Sequence, residues 1–370
     1  MEPDPSSELS AILTEVDRFV VGAIEPAVAR PESPIGREAF AALLAEARAF
    51  GVVAGADTGG AGLWEEPGAP TRSVRVLTRV ARANAGVALA VHLESLAQWL
   101  TRRLRLRVAG VGIAAVQGRF GLGRGALARL VTGAALDEAD TRMLVDTYGD
   151  RPRLLTAPHH FEWLVVPRFD GGSSVRFLVL DRASLVVDEH PHAHGLDELA
   201  TFSFALRSGA EPVHAIDVAS GASLFAEALG LASVGLLAVA LGAAEHAHEL
   251  ARGYARTRRQ GGKIIDRHAA VQQLLASSRA AIETVRAQLE SASRTAISDA
   301  ALPRILALRA EGHPLLCRGA NDALQVFGGL GYMRDTGVEK LVRDLVHLRT
   351  TCGSPPELAL VVAEWERANG

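Results

Sequence analysis

The stretch Gln325-Val326-Phe327-Gly328-Gly329-Leu330-Gly331-Tyr332-Met333 sets two adjacent glycines beside a glutamine, and the acid-base run Val338-Glu339-Lys340-Leu341-Val342-Arg343-Asp344 follows it. Glycine adopts φ values that other residues avoid and lets a backbone approach another molecule closely. Between two helical patterns, such a turn closes one helix and exposes backbone N–H groups, a seat for a phosphate. The same residues also suit a plain helix C-cap. A second cluster, Tyr254-Ala255-Arg256-Thr257-Arg258-Arg259-Gln260-Gly261-Gly262-Lys263, gathers cationic side chains around another glycine pair.

Other groupings carry weaker signals. Gly121-Leu122-Gly123-Arg124-Gly125-Ala126 follows the apolar run Val108 to Val116 and satisfies a loose dinucleotide fingerprint. Without repeated strand-helix units around it, a flexible connection is the plainer reading. His190, His192 and His194 alternate in a proline-containing segment, a pattern that suits a metal but suits a solvated turn better. Glu245, His246, His248 and Glu249 share one helical pattern without the spacing of a zinc protease, so a polar face is expected. No metal site is expected.

The elements that must position these groups follow from periodicity. Leu9, Leu13, Val16, Val20 and Ile24 recur at helical spacing, and helical patterns continue over Arg37 to Phe50 and Thr71 to Arg105. Near Leu130 the period changes. Leu164 to Val166, Val175 to Leu180 and Leu185 to Val187 are short apolar runs between Gly, Asp and Pro, and Phe202, Phe204 and Leu206 alternate with smaller residues as in a half-buried strand. After Val218 the helical period returns, over Leu224 to Arg259, Arg267 to Thr295, Ala301 to Val326, Val338 to Leu348 and Glu357 to Ala368. The predicted fold class is mainly α with a β middle domain. The predicted domains are an N-terminal helical domain over 1–130, a β domain over 131–218 and a C-terminal helical bundle over 219–370.

At 370 residues, 48% hydrophobic, the chain has ample material for a core, and a net charge of −3 leaves no electrostatic footprint for nucleic acid. Cys317 and Cys352 are far apart and fit neither a zinc site nor a disulfide framework, which suits a reducing, cytoplasmic compartment. The acidic, proline-containing start Met1-Glu2-Pro3-Asp4-Pro5 is opposite in character to a signal or transit peptide. The most apolar window, Leu224 to Ala244, holds Glu227 and many alanines and glycines. It is expected to be a buried interface helix rather than a membrane span.

The two clusters together resemble the acyl-CoA dehydrogenase family. The glutamine-glycine-glycine turn resembles its C-terminal signature, and the Tyr254 to Lys263 cluster resembles its tyrosine-arginine-aromatic-glycine-lysine segment, with Gly261 where the aromatic stands. Val271-Gln272-Gln273-Leu274-Leu275-Ala276 is similar to the helix that follows there. The resemblance covers roughly the last third of the chain, and its helix-sheet-helix layout agrees with the order read above. It implies FAD as cofactor and assigns Arg258, Gln325, Gly328 and Gly329 to the pyrophosphate and adenosine end of a neighbouring subunit's flavin.

Where the family's chemistry belongs, this sequence departs. That reaction removes the α-proton of an acyl thioester with a glutamate while the β-hydride passes to the flavin. Counting from Arg343-Asp344, the glutamate position holds Cys352, and a thiol with an ordinary pKa near 8.5 is a poor base. As a bare residue, Cys352 reads as a small buried apolar side chain. The alternative base position, on the earlier helix, falls at Ala232 and Ser233, and the same window often carries a substrate-binding arginine. Glu227 lies more than a turn away. The family's alanine-leucine-threonine-glutamate strand has its nearest match in Ala134-Ala135-Leu136-Asp137-Glu138-Ala139-Asp140. Leu154-Leu155-Thr156-Ala157 stands where an aromatic should stack on the flavin.

The resemblance therefore implies a subunit that lends Arg258, Gln325, Gly328 and Gly329 to a partner's FAD and has lost much of its own grip on the ring. The expected assembly is a dimer of dimers, homo- or heteromeric, in lipid metabolism. Its substrate would be an acyl-CoA and its electron acceptor an electron-transfer flavoprotein. Two alternatives stand beside it: a catalytically silent structural or regulatory partner, and a homo-oligomeric enzyme with Glu138 or Glu227 as base.

Overall fold

The computed structural model describes residues 5–53, 60–65, 69–116, 125–149, 151–171, 174–191 and 193–369, and the structural statements below concern these. The expected order of helices, strands and helices is present. The chain enters through α1 (Pro5–Phe19), a π-helical turn (Val20–Ile24) and the short α2 (Glu25–Ala27), which bury Val16, Phe19, Val20 and Ile24. Helix α3 (Arg37–Ala49) follows, then α4 (Ala69–Ala83) and α5 (Ala85–Arg103). The single helical pattern expected over Thr71 to Arg105 is thus two helices. Asn84 leaves the helical region at φ −159, ψ 122, and its side chain accepts from the Val87 N–H as the N-cap of α5.

The strands form two sheets. The first has the order β1 (Gly112–Ala114), β3 (Trp163–Arg168), β4 (Arg176–Asp181), β7 (His214–Asp217), with β1 parallel to β3 and the rest antiparallel. The second is antiparallel, β2 (Arg153–Ala157), β6 (Ala200–Leu206), β5 (Leu185–Glu189). In β6, Phe202 and Phe204 are buried while Thr201 and Ser203 are partly exposed, the alternation a half-covered strand requires. Two features depart from expectation. The first strand lies well before residue 130, and the Ala134 to Asp140 segment leads into a helix. Here α6 (Ala126–Thr132) and α7 (Glu138–Tyr148) precede β2. Asp137 caps α7 by accepting from the Asp140 N–H at 2.7 Å while Asp140 accepts from the Asp137 N–H at 3.2 Å. That reciprocal capping box favours a helix start over a strand.

The C-terminal bundle is built on α8 (Gly221–Thr257), 37 residues and hence about 55 Å long. By length and composition this helix could cross a membrane, but 94% of its most apolar window is buried within the protein. It packs against α4 and α5 on one side. On the other lie α9 (Ala269–Ser293), α10 (Leu302–Val326) and α11 (Val338–Thr350). Close approach to the N-terminal helices depends on small residues: a Cβ at Gly242 would sit 2.3 Å from the Thr78 carbonyl oxygen, and one at Gly235 would sit 2.2 Å from the His92 ring. Helix α12 (Pro355–Asn369) packs on α6 and α10, and a two-residue hairpin, β8 (Arg259–Gln260) with β9 (Lys263–Ile264), links α8 to α9.

Candidate cofactor-binding end and the buried base turn

Two of the clusters singled out in the sequence meet at one end of the bundle. Tyr254, in the last turn of α8, stacks on Phe327, just past α10, with ring centroids 4.5 Å apart and an interplanar angle of 19°. This contact places the two helix termini side by side. Beyond it Arg258 is the C-cap of α8, its N–H donating to the Tyr254 carbonyl and its carbonyl accepting from the Ile265 N–H at 2.9 Å. The hairpin turns on Gly261 (φ 61) and Gly262 (φ 79), the pair of positive φ values that a tight two-residue turn demands. Glycine at 261, where the resemblance led to an aromatic, therefore has a backbone reason.

Arg258, Gln325, Gly328 and Gly329 are all exposed on this end, together with Leu330, Tyr332 and Met333, of which Tyr332 is 77% exposed. Gly328 starts a 3-10 turn (Gly328–Tyr332) at φ 59. Gly329 does not share that conformation. A Cβ at Gly329 would meet nothing within 4 Å, whereas one at Gly331 would sit 2.7 Å from the Leu324 carbonyl oxygen. Gly331 is required by the chain's own packing. Gly329 is not, so the clearance it leaves faces outward.

The turn after α11 is the opposite kind of place. Cys352 lies at φ 58 and Gly353 at φ 95, and the thiol is buried. Arg309, 1% exposed on α10, donates to the carbonyls of Thr351, Cys352 (2.5 Å) and Gly353 (3.3 Å), serving the acceptors that the end of α11 leaves unpaired. Burial pushes the Cys352 thiol up, with Arg309 only partly opposing it. A thiol held protonated there cannot act as the base.

Strand β2 and helix α11 are tied together by the protein's own side chains. The Thr156 hydroxyl is hydrogen-bonded to His347 Nε2 at 2.8 Å and to the Thr201 hydroxyl at 3.0 Å. Burial keeps His347 below the ordinary histidine range and hence neutral at pH 7. Leu154, in the Leu154 to Ala157 run where an aromatic was expected against a flavin, is 59% exposed.

Arg343 and Asp344 act as a clamp between domains. Arg343 makes a bidentate pair with Asp197 at 2.8 and 2.9 Å and a second with Glu339. Asp344 accepts from the Leu196 N–H at 2.7 Å and from Lys340 Nζ at 2.6 Å. Lys340 also pairs with Glu198 at 3.0 Å, and Glu198 accepts from Asn84 Nδ2 at 2.8 Å. One ammonium thus joins carboxylates from the β domain and α11, next to the N-terminal helices. Burial pulls Lys340 down, but Asp344 and Glu198 outweigh it and hold it well above its usual range; burial in turn pushes Asp344 up.

The remaining candidates do not assemble. Glu227 is paired with Arg103, and Glu138 is a solvent-facing partner of Arg142 on α7. Ala232 and Ser233 are buried in α8, and the Ser233 hydroxyl finds no hydrogen-bond partner among the described residues. Glu249 pairs with Arg82 and Glu245 with Arg286, so that polar face is tied within the chain. Residues 121–124 of the glycine-rich run and His192 lie outside the described residues; Gly125 is the N-cap of α6 and His190 bonds Ser203 at 2.9 Å. Among the described residues no three His, Cys, Asp or Glu side chains are grouped to hold a metal. Sequence reading missed Arg309 and the Thr156–His347 bridge. Arg309 could have been found, because it falls four residues from both Ile305 and His313 on the apolar stripe of α10. The bridge had no sequence signal.

Residues 219–364 match the family described as acyl-CoA dehydrogenase, C-terminal domain. The probable acyl-CoA dehydrogenase YngJ of Bacillus subtilis is 29% identical over 153 residues, 40% of this chain and 39% of that protein. The short-chain specific acyl-CoA dehydrogenase of Clostridium acetobutylicum is 35% identical over 114 residues, 30% of each. The matches thus span well under half of these relatives' lengths. Over nearly the whole chain the fold superposes on butyryl-CoA dehydrogenase from Megasphaera elsdenii (TM-score 0.70, 15% identity, 98% of this chain and 99% of that one). It superposes similarly on the prolyl acyl carrier protein oxidase AnaB (TM-score 0.71, 15% identity, 96% and 99%). The C-terminal domain is that of the acyl-CoA dehydrogenase family, and the whole chain has its fold.

Proposed function

We propose that this chain is a subunit of a heteromeric, FAD-dependent acyl-CoA dehydrogenase-like enzyme, one that completes a partner's flavin site instead of supplying the base. The observation that carries this reading is the Tyr254–Phe327 stack, which aligns the ends of α8 and α10 so that exposed Arg258, Gln325, Gly328 and Gly329 share one surface. Their chemistry suits the pyrophosphate end of FAD: a guanidinium for charge, an amide for hydrogen bonding and unobstructed backbone. The ring side does not fit, since Thr156 is committed to His347 and Leu154 offers no aromatic face. FAD, held mainly by the partner, would accept the hydride from an acyl thioester. This chain's part is to bind and orient its distal end. The assembly is a dimer of dimers, cytoplasmic, passing electrons to an electron-transfer flavoprotein.

The test is co-purification with a complete acyl-CoA dehydrogenase chain and measurement of flavin per complex. The wild-type complex should hold fewer flavins than chains, and this chain alone little or none. Arg258→Ala should weaken FAD binding by about 1.5 to 3 kcal/mol, roughly ten- to hundredfold. Gly329→Val should do at least as much by filling the outward clearance, while its own chain folds normally. Cys352→Glu in the isolated chain should give no turnover, because a base without a held flavin has nothing to act on. A silent partner would leave the flavin ratio unchanged in both Arg258→Ala and Gly329→Val complexes, and that result would remove the cofactor role.

A further inference from the structure

A cavity of about 430 Å³ opens between α3 and the segment following β2, and none of its lining belongs to the C-terminal bundle. Its walls are apolar where Phe40, Ala41, Leu44, Val111, Pro158 and Phe161 meet it, and three arginines, Arg37, Arg48 and Arg182, stand around them. Its size falls in the range of small-molecule sites. On α3 the spacing Arg37, Phe40, Ala41, Leu44, Arg48 puts one apolar face between two cations about 16 Å apart.

The three arginines are not equivalent. Arg48 is neutralised by a bidentate pair with Glu94 at 2.8 and 2.9 Å, and Arg37 makes one bond to Glu189 at 2.7 Å. Arg182 has no ion pair among the described residues. Its guanidinium lies 5.0 Å from the centroid of Phe161, whose ring stacks on Phe202 at 5.8 Å and 13°. The aromatic pair packs against this cation in the cavity wall without using its N–H donors on a carboxylate. Glu162, the one carboxylate in the wall, accepts from the Val111 N–H at 3.0 Å.

We infer that this cavity binds a small organic carboxylate, its apolar body against Phe40, Leu44 and Phe161 and its carboxylate on Arg182. This goes beyond the cofactor role proposed above and does not depend on it. An uncompensated guanidinium beside an apolar cavity discriminates by charge as well as shape: a carboxylate gains a charge-assisted, bidentate contact that an alcohol of the same length cannot make.

Isothermal titration calorimetry of the full chain with octanoate, and with 1-octanol as the uncharged control, tests this. Saturable one-to-one binding of octanoate, at least about tenfold tighter than octanol, is expected. Arg182→Gln should weaken octanoate by roughly tenfold or more and leave octanol unchanged. Ala41→Phe fills the cavity without altering charge and should abolish binding of both, with thermal melting confirming that each variant folds. Absence of saturable octanoate binding to the wild-type chain, equal affinity for octanol, or octanoate affinity unchanged in folded Arg182→Gln would each overturn the assignment.

Discussion

The ends of α8 and α10 and the turn after α11 both derive from segments that resemble one enzyme family, yet their side chains meet opposite fates. At the first, Arg258 and Gln325 are exposed and the clearance at Gly329 serves no contact within the chain. At the second, Arg343, Asp344 and the Cys352 turn are held by the chain itself, through Asp197, Lys340 and Arg309. Residues that a protein needs only for its own fold acquire partners inside it. Residues left outward after every internal partner is satisfied are available to another molecule, and the contrast separates an outward-facing helix end from a turn committed to the chain's own fold.

That contrast can be broken most severely at Lys340. Lys340→Met leaves Glu198 and Asp344 buried without their cation, and should cost about 4 kcal/mol of stability at pH 7. Burial holds the folded Asp344 above its unfolded value, so its ionisation is a cost that disappears as the pH falls toward the ordinary carboxylate range near 4. The gap between variant and wild type in urea unfolding should narrow over that interval; a constant gap would show that Lys340 does not neutralise the pair.

Arg309→Met should cost about 3 kcal/mol, because three buried carbonyls lose their donor. Flavin content of a co-purified complex should nevertheless stay near normal wherever the variant folds, the reverse of the pattern expected for Arg258→Ala. His92 supplies an acid test of the same interior. Burial lowers it from 6.5 to about 4, and its ring packs against Trp64 and Gly235. A histidine with a depressed folded pKa contributes stability that is complete above 6.5 and lost as pH falls through 4, about 3 kcal/mol in all. His92→Leu should flatten that part of the stability profile in chemical denaturation. An equally steep loss in the variant would assign the acid sensitivity elsewhere, with His313, also driven down by burial, the next group to replace.

The smallest effects sharpen the outward end. Gly328→Ala should cost about 1 kcal/mol, since φ 59 opposes a Cβ, while Gly329→Ala should change stability by less than about 0.5 kcal/mol. Equal costs at the two positions would mean that Gly329 serves the chain's own turn, and its role as outward clearance would fall.

Periodicity determined much of the architecture. The apolar spacing of Leu224 to Arg259 and Ala301 to Val326 specified two long helices, the first overrun by two residues at its end, and the Phe202–Phe204 alternation specified the half-covered strand, because repeating patterns within one element need no knowledge of what lies opposite. The Arg258 and Gln325 motifs were legible for the same reason, each being a local run. What the sequence left open was every contact between distant segments. Capping by Asp137 and Asp140 started a helix at Glu138 where the 134–140 run had its match to a strand, and Asn84 divided one apolar stretch into two helices. The Tyr254–Phe327 stack decided that two motifs share a surface, the Thr156–His347 bridge tied β2 to α11, and Arg309 reached across to the Cys352 turn. A hydrogen bond or ring stack is set by a few ångströms in three dimensions, and residues 73, 191 and 43 positions apart carry no mark in the chain of how close folding will bring them.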